Sequence, residues 1–417
     1  MRLVIASPEP PFPHANATRL KVAHLIAGLA QRHEIHLRSF CAPEESRAAE
    51  AVTWALDHGC SSARITPWTR DPWRAPAIAH AALGVRPHTL RKYRVAAARD
   101  ELRELVRRTP MDLVHLDINM SELRSCLTGS EATVISPSDS FTRLLLSGAR
   151  RAPNLGRRAY YLAQASKFAW LELREYPRFT KCHVVSAPEA RFLESLSPGA
   201  DVAVVPIGVR VPPHIPDEAE RAPDHAISLA GQLSNPYTLD GISWFLGKVW
   251  PRVRAAEPQL ELRLLGHAPP AKLAHLAART VGVKLVGYVE DLGTELRRTL
   301  LCVCPLLSGA GLKTRALEAL AEGVPLVTTS VGAEGIAARP GRHLRVADTP
   351  ATFAAAVLEL LHNPVERRLL AVAAHDLAAT TYTWRRFAEG MEGLYLAALA
   401  KRRAAMNRAT IPGGARP

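Results

Sequence analysis

The sequence predicts a doubly wound α/β protein of two domains, on three observations. Apolar runs of strand length alternate with amphipathic segments of helix length, the pattern of a parallel sheet covered by helices on both faces. The pattern breaks at a proline- and acid-containing stretch, Val211 to Asp224 (VPPHIPDEAERAPD), and then begins again. The 417 residues are also too many for one typical domain and suit two of about 200 residues each.

Arg2 to Ala6 reads as a first strand, Ala17 to Gln31 as a helix with Val22, Leu25, Ile26 and Leu29 on one face, and Glu34 to Phe40 as a second strand. Asp112 to Leu116, Ala132 to Ser136, His183 to Ser186 and Val202 to Pro206 are further strand-length runs. Between the second and third of these lies a helical stretch, about Phe141 to Tyr176, broken near Pro153 to Gly156. Beyond the proline-rich stretch, Ala226 to Gly231, Glu261 to Gly266, Lys284 to Gly287, Leu301 to Pro305 and Pro325 to Thr328 read as strands. Helices are predicted near Asp240 to Arg254, Lys272 to Val281, Thr314 to Glu322, Thr349 to His362 and Val365 to Ala379. The expected organisation is a first domain over 1–212, a linker over 213–224, a second domain over 225–381, a final helix over 382–400 and a disordered basic tail over 401–417.

Charge and cysteine usage narrow the function classes. The formal net charge is +14, and Arg64 to Arg108 holds eleven basic against four acidic residues together with Trp68, Trp73 and Tyr93. That mixture suits a surface resting on anionic lipid headgroups, and equally a solvated basic helix. No apolar stretch approaches the roughly 18 to 20 residues of a membrane span, and the N-terminus lacks the apolar core of a signal peptide, so a cytoplasmic protein is expected. Six scattered cysteines without a CxxC pair read as reduced, packed thiols. The sixteen histidines show no metal-ligand spacing, and lone His24 and His33 read as surface or satisfied core groups. No GxSxG elbow or GxxxxGK[ST] loop is present, which leaves hydrolase and P-loop chemistry without support.

The stretch that carries chemistry is VCPLLSGAGLKTRALEALAEG, Val303 to Gly323. A buried strand ends at Pro305, a small-residue loop follows, and a helix begins near Leu312. Such a loop lets backbone N–H groups and the positive end of a helix meet a phosphate at close range. Lys313 and Arg315 add positive charge, and Glu318, one turn on, is placed to accept from a sugar hydroxyl.

The run GAGLKTRALEALAEGVPLVTTSVGAEGI resembles the donor-binding signature of glycosyltransferase family 4. GQLSNPYTLDGISWFLGKVWPRV, LELRLLGHAP and VKLVGYVEDL fall where that family places the first strands and loops of its C-terminal domain. PEPPFPHANATRLKVAHLIAGLAQRHEIHL, MDLVHLDINMSEL, VISPSDSFTRLLL and VVPIGV resemble its N-terminal half more loosely, and the likeness runs from Arg2 to Ala398. The resemblance implies the α/β GT-B fold, two Rossmann-like doubly wound domains facing a central cleft. It further implies metal-independent transfer, with retention of configuration, of a hexosyl or related group from a nucleotide diphosphate sugar held mainly by the second domain. No other cofactor is implied. By the same resemblance Gly309, Ala310, Gly311 and Leu312 present amides to the diphosphate and sugar, and Glu318 accepts from the ribose. Tyr288 and Val289 hold the base through backbone groups, and the turn from Asn16 to Arg19 faces the diphosphate where the family has glycines. Tyr382, Thr383 and Trp384 mark a return of the chain to the first domain, with Trp384 packed.

Several positions depart from the family pattern. Ala310 stands where the first of two acids eight residues apart is usual, so backbone takes over its contact with the sugar. Gln232 replaces the basic residues that grip the diphosphate after the first strand of the second domain, with Lys313 and Arg315 as compensation. Asp117 replaces a histidine near the sugar and is the candidate catalytic side chain, and Ile207-Gly208 replaces Asn-Gly. The acceptor, held by the first domain, is left open among a glycan, a lipid-linked glycan and a small natural product. Peripheral contact with an anionic membrane is one expectation for the basic segment, and no nucleic-acid partner is expected. Two rivals are a nucleotide-sugar epimerase of the same fold, whose acidic catalytic residues are not evident, and a non-catalytic basic module binding membrane or nucleic acid, which leaves the Gly309 to Glu318 pattern without a purpose.

Overall fold

The computed structural model describes the chain apart from residues 15, 42–46, 69–83, 85–86, 88–89, 91–95, 119, 217–222 and 411–417, and apart from the side chains of 409–410. It divides into two compact units, Met1–Ile207 with Trp384–Pro417, and Gly208–Thr383. Among the described residues the first unit holds β1 (Arg2–Ser7), β2 (Glu34–Cys41), β3 (Cys60–Pro67), β4 (Leu113–Asp117), β5 (Ala132–Ser138), β6 (Lys181–Val184) and β7 (Val202–Val204). All pair in parallel, in the order β3-β2-β1-β4-β5-β6-β7.

Alternate residues of β1 feed two cores, Leu3 and Ile5 one face and Val4 and Ala6 the other, as the two-residue period of a strand requires. The first face is covered by the helix Ala17–Leu29 and by the last helix, Trp384–Thr410, which adds Phe387, Met391, Leu394, Tyr395 and Ala398. A Cβ at Gly28 would lie 2.4 Å from the Cβ of Ala388, so these two helices meet only because one of them carries glycine there. Trp384 stacks on His24 with ring centroids 4.1 Å apart. The opposite face is covered by the helices Ala96–Arg108, Leu155–Glu175 and Ala187–Leu196, through Leu102, Val106, Phe168, Leu171 and Leu193.

The second unit repeats the plan with β8 (Ala226–Ala230), β9 (Glu261–Leu265), β10 (Val283–Gly287), β11 (Leu301–Cys304), β12 (Leu326–Thr328) and β13 (Arg345–Val346), parallel in the order β10-β9-β8-β11-β12-β13. Helices Pro236–Trp244, Trp250–Ala256 and Pro350–His362 pack one face, and Thr314–Ala321 and Pro364–Thr381 the other. The predicted helix near Asp240 to Arg254 is interrupted by a π-helical turn at Phe245–Val249, just before Pro251 removes a backbone donor. All six cysteines are buried, and burial pushes the Cys60 and Cys302 thiols up to about 12.

Three expectations are corrected. The chain enters the second unit at Gly208, and the described part of Val211 to Asp224 belongs to that unit. Asp224 pairs with Arg263 at 2.7 Å, Ile215 lies against Gly323, and Pro216 accepts from Arg368, so this stretch is anchored despite its linker-like composition. The last helix does not end near residue 400 but runs to Thr410, because its continuation is rich in Ala, Arg and Lys and Lys401 bonds Asp201 at 2.7 Å. Trp68 packs against the first unit's core rather than facing outward. Within the same basic segment Arg64, Arg103 and Arg108 pair with Glu101, Asp100 and Glu104. Trp73, Tyr93, Arg91, Lys92 and Arg94 lie outside the described residues. No described helix is long and apolar enough to cross a membrane.

Two carboxylates are fully buried where β5 passes into the helix Phe141–Arg150. Glu189 accepts from the Ser140 N–H at 2.8 Å and from Arg143, and Glu172 accepts from the Ser140 hydroxyl at 2.9 Å and the Thr142 N–H at 3.3 Å. Burial nevertheless dominates at Glu172 and raises its carboxyl from 4.5 to about 7. The folded chain therefore holds this proton more tightly than the unfolded chain, and the associated stability, complete below about 4.5, is lost as the pH rises through about 7. Glu172→Gln cannot ionise, so relative to wild type it should gain on the order of 3 kcal/mol between pH 4.5 and 8. Urea midpoints measured across that range test this, and parallel profiles for the two proteins would refute it.

Candidate active site

In each sheet the strand order reverses once, between β1 and β4 in the first unit and between β8 and β11 in the second. Loops leaving two such strands diverge to opposite faces and open a crevice at the carboxyl ends, where open α/β sheets take their ligands. The crevice of the second unit is bordered by the loop after β8, which contains Gln232, and by the loop after β11, which contains Gly309 to Lys313.

The loop after β11 is shaped by two glycines. Gly309 has φ 141° and Gly311 φ 68°, conformations that side chains resist, and they turn the chain from the buried Cys304–Pro305 end into the helix Thr314–Ala321. That helix has no side-chain cap at its N-terminus, since Lys313 occupies the cap position. Its first N–H groups and the positive end of its dipole thus meet the crevice without a built-in acceptor. The Lys313 ammonium folds back over its own loop, donating to the Ala310 carbonyl at 2.9 Å and to that of Gly311 at 2.6 Å. One turn into the helix, Glu318 is half-buried and accepts from Arg315 at 2.7 Å. Burial raises its carboxyl above the ordinary range, and Arg315 pulls it back.

Gln232 is exposed on the other border, ahead of a helix started by Asn235, whose side chain accepts from the Tyr237 N–H at 2.9 Å. The ends of β8 and β9 close on each other: a Cβ at Gly266 would fall 1.8 Å from the Gly231 carbonyl oxygen, so no other residue fits. Beyond them Tyr288 stands 68% exposed with its ring edge-on to His267 at 6.0 Å, and Val289 packs against the core. The structure therefore brings Gln232, Gly309, Ala310, Gly311, Leu312, Lys313, Arg315 and Glu318 to strands or loops bordering one crevice. Tyr288 and Val289 lie on the same sheet edge, two strands from β8.

In the first unit Asn16 caps the helix Ala17–Leu29, accepting from the Arg19 N–H at 3.0 Å. Glu9, from the loop after β1, takes the Asn16 amide at 2.6 Å and the Arg19 guanidinium at 3.1 Å, so the basic group there is already met by a carboxylate. Asp117, at the end of β4, is completely buried. Its Oδ1 accepts from Lys21 Nζ at 2.5 Å, and Lys21 also donates to the Ser138 hydroxyl at 2.8 Å. Burial alone would push this carboxyl up, but Lys21 and His115 together outweigh it and hold the group at about 2. His115 lies 3.6 Å from Asp117 through Nε2, while its Nδ1 meets the Tyr395 hydroxyl at 2.8 Å. Burial lowers the His115 pKa, and the direction of its hydrogen bond with Tyr395 follows the tautomer of the ring. Behind this group His183 bridges the Ser136 hydroxyl and the Val205 carbonyl, and burial lowers it to about 3.

Asp117, the candidate catalytic side chain, is thus completely buried and paired with Lys21. Ile118 and Ser138, at the ends of β4 and β5 beside the ion pair, have φ 47° and 66°, a region that a β-branched residue such as Ile118 enters only under constraint. Sequence reasoning missed Glu9, Lys21 and Tyr395. Lys21 sits inside an apolar helical face, and that misfit was the available signal; Tyr395 is placed by the return of the last helix, which spacing along the chain does not reveal.

Known proteins resemble both the sequence and the fold. Residues 224–363 match the family described as Glycosyl transferases group 1, which covers the sheet and most helices of the second unit. A protein of Klebsiella pneumoniae described as an uncharacterized 44.6 kDa protein in the cps region is 26% identical over 144 residues, 33% of this chain and 37% of its own length. Sucrose-phosphate synthase of Thermosynechococcus elongatus superposes with a TM-score of 0.72 at 17% identity, covering 96% of this chain and 99% of that one. HepE of Anabaena, solved in complex with UDP-glucose, superposes with a TM-score of 0.61 at 13% identity, covering 94% and 99%. The chain thus has the GT-B fold of glycosyltransferases, two Rossmann-like parallel α/β units over nearly its whole length.

The buried ion pair sets a test. Lys21→Met strands the Asp117 carboxylate in the interior and should cost about 3–5 kcal/mol in chemical denaturation, whereas adding Asp117→Leu should restore part of that loss. Additive costs of the two substitutions would show that the groups do not depend on each other.

Proposed function

We propose that this protein is a glycosyltransferase that moves a hexosyl or related group from a nucleotide diphosphate sugar to an acceptor hydroxyl, with retention at the anomeric carbon and without a metal ion. The observation that carries this reading is the loop after β11: two glycines of positive φ, an uncapped helix N-terminus and Lys313 meet at the crevice of the unit whose sequence matches group 1 glycosyltransferases.

In this reading the departing diphosphate is met by the amides of Gly309 to Leu312 and by the N-terminus of Thr314–Ala321. These are fixed dipoles that need no rearrangement as negative charge develops. Lys313 turns from the Ala310 and Gly311 carbonyls to the phosphate, exchanging two neutral acceptors for an anion. Glu318 accepts from the ribose, Tyr288 and Val289 meet the base, and Gln232 and Arg315 flank the diphosphate. Because a structural relative was solved with UDP-glucose, UDP sugars are the first donors to try. The acceptor is a glycan, a lipid-linked glycan or a small natural product.

A panel of nucleotide sugars screened by the rise in melting temperature identifies the donor, and the anomeric configuration of the product, read by NMR, tests retention. Glu318→Ala should weaken calorimetric binding of the matching nucleotide diphosphate by about 1.5–3 kcal/mol, the value of a hydrogen bond to a charged group, with the melting curve unchanged. Unaltered affinity would remove Glu318 from the site. Transfer should persist in EDTA; activity lost there and restored by Mg²⁺ or Mn²⁺ would mean that a cation, and not the loop and Lys313, balances the diphosphate.

A further inference from the structure

The helix Leu155–Glu175 is apolar on two sides. One side enters the core of the first unit through Phe168 and Leu171, with Ala165 buried beside them. The other carries Leu155, Leu162, Trp170 and Leu173, which are 82, 44, 45 and 46% exposed. At about 100° per residue these four fall within a sector of roughly 80°, close to opposite the buried side, and so form one stripe along the helix. Exposed apolar residues scattered singly need no explanation, but Leu, Leu, Trp and Leu lined along one face of a helix do.

The charge around the stripe says what it meets. Arg158 and Arg174, both exposed, border it on either flank, and Arg150 and Arg151 are exposed at the turn that leads to Leu155. From Phe141 to Glu175 the chain carries seven basic residues and two acidic ones, and one of the two acids, Glu172, is fully buried. A second line of exposed apolar residues, Val365, Leu369 and Val372 on the helix Pro364–Thr381, has Glu366 and Asp376 among its neighbours and is of mixed sign. An apolar line with an aromatic residue and an arginine border of one sign matches the boundary between anionic headgroups and acyl chains, where apolar side chains enter and guanidinium groups stay at headgroup level.

We propose that the stripe Leu155–Leu162–Trp170–Leu173 seats the protein on the anionic face of a lipid bilayer, with Arg158 and Arg174 on the headgroups. The proposal stands apart from the transferase reading, because it concerns a surface and is measured without donor or acceptor. The attachment is peripheral and brings the first unit to the bilayer, which favours a lipid-linked acceptor if the transferase reading holds.

The test is sedimentation of the full chain with vesicles of phosphatidylcholine alone or mixed with phosphatidylglycerol. Binding to mixed vesicles at low salt is expected, at least about tenfold stronger than to phosphatidylcholine and weakened by added salt. Arg158→Glu with Arg174→Glu should lower the partition at least about tenfold. Leu162→Glu with Trp170→Glu should abolish it, and Leu369→Glu on the other apolar line should leave it unchanged. All of these positions are exposed, so the melting temperature should stay at the wild-type value. A polarity-sensitive dye on Leu162→Cys should shift to the blue on mixed vesicles, and the same dye on Leu369→Cys should not. Failure to bind anionic vesicles at low salt would overturn the proposal, as would equal loss in the Leu369→Glu protein. Lipid-free self-association abolished by Leu162→Glu with Trp170→Glu would also overturn it, by assigning the stripe to a second copy of the chain.

Discussion

A parallel strand must be followed by a crossover that returns the chain to the starting end, and in both units of this protein every described sheet pairing is parallel. All carboxyl ends of a sheet therefore lie along one edge, and every loop that begins a crossover is gathered there. Where successive crossovers change face, after β1 and β4 and after β8 and β11, two of those loops separate and the backbone is left uncovered. The glycines at 309 and 311, the cap at Asn16 and the buried carboxylate at Asp117 all stand at such points. Within each unit, those positions follow from strand direction and strand order before any side chain is considered.

The two crevices manage charge in opposite ways. In the first unit the charges are taken out of water and closed on each other: Lys21 on Asp117, with His115 and Tyr395 behind. Such a pair gains little over an apolar replacement of the same shape, yet losing one partner is severe, which fits a device that fixes geometry. In the second unit positive groups stand at the surface with weak internal partners, carbonyls for Lys313 and a half-buried carboxylate for Arg315. Those partners can be exchanged for an anion at modest cost, whereas the Lys21 pair cannot be opened in that way.

The architecture was legible because it rests on periodicity. Leu3, Val4, Ile5 and Ala6 are apolar in succession since β1 is covered on both faces, and the second unit repeats that signature at Leu301 to Cys304. The loop from Gly309 to Lys313 was legible too, as its glycines and lysine are chemically unusual between a buried strand and a helix. Short β13 and the polar-faced edge strand β3 escaped, because two residues carry no period and β3 has one fully buried position. The extent of the last helix is not legible, because its basic composition is also that of a disordered tail and the acceptors of Lys401 and Arg402 on the first unit are announced by no local pattern. The roles of Asp117 and Lys21 needed the fold itself, since residues ninety-six positions apart become one ion pair only when β4 settles beside β1.

The last helix also sets the order in which the molecule can be completed during synthesis. Phe387, Met391, Leu394, Tyr395 and Ala398 belong to the core of the first unit but are made after the whole of the second unit. The second unit is one continuous stretch, Gly208 to Thr383, and is fully available while the first still lacks a wall of its core. A nascent chain usually matures from its N-terminal domain onward. Here the N-terminal sheet must wait, with Leu3, Ile5 and Val134 uncovered on that face, until the helix from Trp384 onward has been made, and the middle of the chain is the part free to fold first.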